Sequence, residues 1–151
     1  MNFLHLMKKT LKTLRKKVYF NASVILAGLR SPDGGSGKLM NLVKTGKIIG
    51  IISEIILDEV LYHLHKIGVT QSKASRIIEN SFAIISPPKV AIVNEYKSQV
   101  VDEGDAHILA SCQEAGVEFL VTLDKKHLLI LQNRIKAFRI TSPKELIKEL
   151  L

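Results

Sequence analysis

Short apolar runs alternate with amphipathic stretches along nearly the whole chain. "KVYF", "KIIGIIS", "AIIS", "EFLVT" and "KAFRIT" read as strands. The unbroken apolar run of "KIIGIIS" is of the kind covered on both faces of a parallel sheet. Between these runs, "SVILAGLR", "GKLMNLVKTG", "EIILDEVLYHLHKIG", "TQSKASRIIENSF", "DAHILASCQEAG" and "SPKELIKELL" place apolar residues at helical spacing. Gly46, Gly68 and Gly116 stand where helices should stop, and Pro87 and Pro88 end the third strand. Ser53 can cap the longest helix, while Ser142, Pro143 and Glu145 form a capping-box signature before the last one. Strands alternating with helices predict an α/β fold: three layers, α/β/α, around a central, mostly parallel sheet. One such domain spans residues 18–151, preceded by a basic extension of residues 1–17.

In an open parallel sheet the ligand crevice lies beyond the carboxyl ends of the strands, so the polar residues at those ends come first. Asn21 follows the first strand inside the apolar stretch "VYFNASVILAGL", and Asp124 follows "EFLVT". Asp105 opens "DAHILAS", with Asp102 and Glu103 just before it. Capping alone could account for Asn21, Asp105 and Asp124, because their side-chain oxygens suit the orphan N–H groups at a helix start. Glu59 resists that explanation. It lies four residues after Ile55 and three after Ile56, on the shoulder of an apolar stripe, where a carboxylate needs a partner. His63, one turn later, could be that partner. Were these acids to converge, a hard divalent cation such as Mg²⁺ would suit an all-oxygen set, kept partly hydrated and shared with a substrate phosphate.

Charge refines the picture at one end. The net charge of the 151 residues is +8, yet residues 1–17 hold Lys8, Lys9, Lys12, Arg15, Lys16 and Lys17 and no acid. The remainder is nearly neutral, with 16 basic residues against 14 acidic. The extension fits an amphipathic helix with Leu4, Met7, Leu11 and Leu14 on one face. It is a packing extension, a nucleic-acid-binding arm or a membrane-surface helix. It lacks the apolar stretch of a secretory signal, and no segment reaches the roughly 18 apolar residues of a membrane span. The lone Cys112 rules out an internal disulfide and a cysteine-based zinc site. A cytoplasmic protein follows as the expectation. "SPDGGSG" lacks the Gly-Lys-Ser/Thr ending of a phosphate-binding loop. His63 and His65 point to different faces of a helix, and His107 and His127 read as isolated surface or core-edge residues.

The order of these segments resembles a PIN domain, from about Val18 to Leu150. The stretches that carry the resemblance are "FNASVILAGL", "IISEIILDEVLYHL", "DEGDAHILASCQEAG", "FLVTLDKKHLL" and the terminal "ITSPKELI". The resemblance implies a ribonuclease whose acids surround Mg²⁺ or Mn²⁺. Carried over by position, Glu59, Asp105 and Asp124 are the catalytic and metal-site acids, Asp102 is an auxiliary, and Ser23 is the small hydroxyl residue two positions after the first site residue. The family places aspartate where this chain has Asn21, which offers a metal an amide oxygen but no charge and no base. Expected partners are RNA, an antitoxin-like protein and a second copy in a homodimer, with no membrane.

Two functions therefore stand side by side. One is a metal-dependent endoribonuclease with Asn21 as a neutral ligand. The other is a catalytically inactive PIN-fold module that binds RNA or protein. A receiver- or phosphatase-like domain is disfavoured, because those folds set paired acids beside the first strand and "FNAS" has none.

Overall fold

β1, Lys17–Phe20, occupies the middle of the sheet, and its sequence explains why. Val18, Tyr19 and Phe20 are all fully buried, as a strand covered by neighbours on both sides and both faces requires. A computed structural model describes residues 2–7 and 15–151. The other strands are β2 Ile49–Ser53, β3 Ala83–Ile85, β4 Phe119–Val121 and β5 Arg139–Thr141. They lie in the order β3-β2-β1-β4-β5, every pair parallel, so the expected mostly parallel sheet is wholly so. Tyr19 sits opposite Ile51 on one side and Leu120 on the other. The chain winds outward from β1 through β2 to β3, then returns to β4 on the far side of β1. This reversal opens a crevice at the carboxyl ends of β1 and β4.

Seven helices flank the sheet in the three-layer arrangement: α1 Ala22–Arg30, α2 Gly35–Lys44, α3 Glu54–His63, α4 Gln71–Ser81, α5 Val90–Tyr96, α6 Glu103–Ala115 and α7 Pro143–Leu150. Several boundaries follow the capping chemistry legible in the sequence. Ser53 Oγ accepts from the Ile56 N–H, and Ser142 Oγ accepts from the Glu145 N–H while donating to the Glu145 carboxylate. Gly116 ends α6 in the left-handed region, φ 66°, where a side chain would be strained.

Two elements depart from the expectation. α5 has no counterpart in the sequence reading, because seven residues bounded by Pro88 are too few to show a period. Its identity rests on two buried residues, Val93 and Tyr96, spaced one turn apart. α6 begins two residues earlier than "DAHILAS" suggested. Its N-cap is Asp102, whose Oδ1 accepts from the Gly104 N–H at 2.8 Å. Asp105 is thereby excused from capping.

The core joins the sheet to helices on both sides, from Ile25 of α1 and Ile56 of α3 to Leu109 of α6 and Leu146 of α7. Each such aliphatic side chain contributes roughly 1.5–3 kcal/mol when fully buried. Phe20 and Phe82 meet edge to face at 4.9 Å between centroids. α2 packs tightly on the loop that joins it to α1 at Gly37, where a Cβ would fall 2.1 Å from the Pro32 carbonyl oxygen. Cys112 is fully buried, and burial pushes its thiol well above the ordinary range, so it behaves as a core residue. Residues 3–7 are helical, with Phe3, Leu4, Leu6 and Met7 exposed. The proposed continuation of that amphipathic face through Leu11 and Leu14, with Lys8, Lys9 and Lys12, lies outside the described residues.

Candidate functional site

The crevice is a cleft of about 430 Å³ lined by Asn21, Ser23, Glu59, Asp102, Asp105 and Asp124, with Leu26, Ile108, Leu123 and His127 completing its walls. Every site residue expected from the sequence therefore faces one space, although they come from four separate stretches of chain. β1 ends directly into Asn21 and α1 carries Ser23. α3 carries Glu59 on its outer shoulder, α6 carries Asp105 in its first turn with Asp102 as cap, and β4 delivers Asp124 three residues beyond its end.

Asn21 is only 7% exposed and is the best-connected polar group in the cleft. Its backbone N–H donates to the Val121 carbonyl, and it caps α1. Its Oδ1 accepts from the Ser23 N–H at 3.4 Å, from Ser23 Oγ at 2.6 Å and from Thr122 Oγ1 at 3.2 Å. Ser23 Oγ is itself held by the Leu123 N–H, and Thr122 Oγ1 by the Asp124 N–H. Each hydroxyl has a lone pair engaged by a backbone donor, which leaves its proton for Asn21. A backbone N–H can only donate, so oxygen must face this socket and the amide nitrogen must face away from it. The amide nitrogen makes no hydrogen bond among the described residues. A carboxylate oxygen would satisfy the same three donors.

The acids around Asn21 repel one another. Burial raises the Asp105 carboxyl above its usual range, Asp102 and Asp124 raise it further, His127 opposes, and Glu59 adds a smaller push. Glu59 stands on the open rim, yet it too is raised by desolvation, with His63 lowering and Asp102 raising it. No hydrogen bond joins His63 to Glu59 among the described residues. The Asp124 carboxylate is fixed from one side: Oδ1 accepts from the His127 N–H at 3.0 Å, and Oδ2 lies 3.3 Å from His127 Nδ1. His127 is the site residue that sequence reading missed. Its spacing from Asp124, i to i+3 at the foot of a turn, was the available signal.

Clustered carboxylates with no lysine or arginine among the lining residues suit the chemistry of a hard divalent cation site. Among the described residues no three acid, histidine or cysteine side chains close into a metal-holding group. The residues therefore fit an open site that leaves a cation most of its water, rather than a preformed cage. Asn21 Oδ1 faces three donors of its own socket.

A larger hollow, about 750 Å³, lies away from these acids and shares no lining residue with the cleft. α1, α2 and α4 wall it with Leu29, Met40, Leu42, Ile77 and Phe82, and Lys38, Lys44 and Lys73 stand around it with Asp33 the one acid. The site acids are gathered in the smaller cleft.

Among the described residues no helix is long and apolar enough to cross a membrane. No curated protein matches the chain in sequence. In structure it is similar to VapBC2 from Rickettsia felis bound to a DNA fragment from their promoter, with a TM-score of 0.62 and 14% identity over 83% of this chain and 98% of that one. It is similar also to PAE2754 from Pyrobaculum aerophilum, TM-score 0.61 and 18% identity over 91% and 96% of the two chains. A third similar structure is VapC20 of Mycobacterium tuberculosis, a Sarcin-Ricin loop cleaving toxin, TM-score 0.54 and 13% identity over 72% and 91%. At such identities the likeness is one of fold. The sequence match is more specific: residues 17–126 match the PIN domain family along most of the chain, and the protein belongs to that family.

Proposed function

We propose that the chain is a metal-dependent ribonuclease of the PIN type, hydrolysing RNA phosphodiesters in the cytoplasm. The observation that carries this reading is the gathering of Glu59, Asp102, Asp105 and Asp124 in one cleft at the reversal of the sheet. The Sarcin-Ricin loop cleaving activity of the similar VapC20 supports the substrate class. Glu59, Asp105 and Asp124 would hold Mg²⁺ or Mn²⁺, with Asp102 as a further charge beside them. The cation would supply Lewis-acid polarisation of a phosphoryl oxygen and a more acidic water. His127 positions Asp124 by engaging both carboxylate oxygens. Asn21 holds the Ser23 and Thr122 hydroxyls, and through them the backbone that leads to Asp124. Lacking a charge at position 21, the site binds cations more weakly than its all-acid counterpart. The test is Mn²⁺-stimulated cleavage of a panel of RNAs. Activity that Asp105→Asn removes supports the reading, and a wild type inert toward every RNA with and without metal overturns it.

A second reading is favoured by the apolar hollow: a PIN-fold interaction module in which cleavage is lost at Asn21. The lysines around the hollow suit an apolar segment with acidic flanks, as an antitoxin-like partner would present, and VapBC2 is the similar structure that motivates such a partner. A homodimer belongs to the same proposal. Isothermal titration with Mn²⁺ separates the readings, since the module predicts no heat of metal binding.

A further inference from the structure

Almost every aromatic ring of the body is spent on the core. Tyr19, Phe20, Phe82, Tyr96, Phe119 and Phe138 are all buried. Tyr62 is the exception among the aromatic residues of 15–151, with 75% of its surface in water. It lies on α3 three residues after Glu59, so it stands about one helical turn beyond the cleft acid on the same side of the helix. Its one ring contact among the described residues is a T-shaped one with His63, 85° between planes and 5.0 Å between centroids. That contact steadies the ring while leaving a face open. The chain beyond is cationic or ionisable. His65, exposed, is tethered by its Nδ1 to the Tyr62 carbonyl at 3.1 Å, and exposed Lys66 follows with no ion-pair partner among the described residues. Along α3 and the turn that follows it, the cleft acid Glu59 is thus succeeded by an open aromatic face and then by cations.

A single-stranded nucleic acid is recognised by such a sequence of features. Bases stack on aromatic faces whatever their identity, and neighbouring cations take the phosphates. We infer that Tyr62, steadied by His63, is a nucleobase-stacking subsite, and that Lys66 takes a phosphate beside it, so that single-stranded RNA leaves the cleft past Glu59 along the end of α3. The inference rests on the ribonuclease reading for its ligand class, and it names where the strand lies and which residue grips it.

The test uses fluorescence anisotropy with a short fluorescein-labelled oligoadenylate and the full chain in EDTA, so that binding is read without cleavage. Tyr62→Ala weakens binding about tenfold, as loss of one stacked base requires, whereas Tyr62→Phe and Tyr62→Trp keep it. Lys66→Ala reduces the salt dependence by roughly one phosphate contact. The size-exclusion profile of Tyr62→Ala stays that of the wild type. Wild-type affinity in Tyr62→Ala overturns the subsite alone. A change of oligomeric state in that variant also overturns it, because Tyr62 is then a protein contact. A wild type that fails to bind the oligonucleotide overturns the RNA reading and the subsite with it.

Discussion

The acid cleft and the apolar hollow divide the labour of the surface between them. The cleft is small, and apart from Glu59 in the middle of α3 its acids come from strand ends and helix starts, where backbone N–H groups hold Asp102 and Asp124. The hollow is nearly twice as large, walled by helix sides, and its polar groups are long lysines at the edge. The first arrangement costs stability, because like charges are held together; the second is what tight helix packing leaves uncovered. Under the proposed function, chemistry would belong to the hydrogen-bonded cleft and affinity for a partner to the apolar hollow.

Substitutions can break this division in order of their expected effects. Asp105→Asn should abolish metal-stimulated cleavage, a loss of at least about 100-fold, with an unchanged circular dichroism spectrum; retained activity would move the chemistry out of the cleft. On the other side, Gly37→Ala drives a methyl into the Pro32 carbonyl and should destabilise the fold by about 2–3 kcal/mol in urea unfolding. Stability within error of wild type would show that the Pro32 loop yields to α2 there. Asn21→Asp should tighten Mn²⁺ binding about tenfold by titration calorimetry, since it adds a carboxylate to a hydrogen-bonded socket already built for oxygen. The same change should lower the melting temperature in EDTA. Lys73→Glu, at the hollow, should leave both cleavage and metal affinity unchanged and alter stability by no more than about 0.5 kcal/mol.

The smallest effect is on pH dependence. Asp105 and Glu59 are raised above their ordinary values in the folded chain. Their contribution to stability is therefore fully present below the ordinary carboxylate values and is lost as pH rises through the raised ones. In EDTA, the wild-type melting temperature should fall relative to that of Asp105→Asn across this window. Parallel profiles for the two proteins would mean that the cleft stores no electrostatic strain.

The sheet was legible because apolar runs at period two or unbroken need no context. The site was legible because polar residues at the carboxyl ends of strands have few places to go. α5 was hidden, since its amphipathic signal amounts to Val93 and Tyr96 alone. At α6 either Asp102 or Asp105 fits an N-cap by residue type, and only the backbone decides for Asp102. His127 was set aside as an isolated histidine because its partnership with Asp124 depends on a turn that no periodicity announces. The hollow could not be read at all. Its walls come from α1, α2, α4 and the chain end, and a gap between helices has no sequence of its own.

The socket at Asn21 has a genetic consequence. Codons for asparagine and aspartate differ by a single base, and here the neighbours of position 21 need no accompanying change, because Ser23 and Thr122 already point their protons at an oxygen. Such a site can pass between a muted and a fully charged form in one mutational step, without an intermediate that misfolds. In a lineage under changing selection against RNA cleavage, position 21 would be where reversion is cheapest and where natural variants should be sought first.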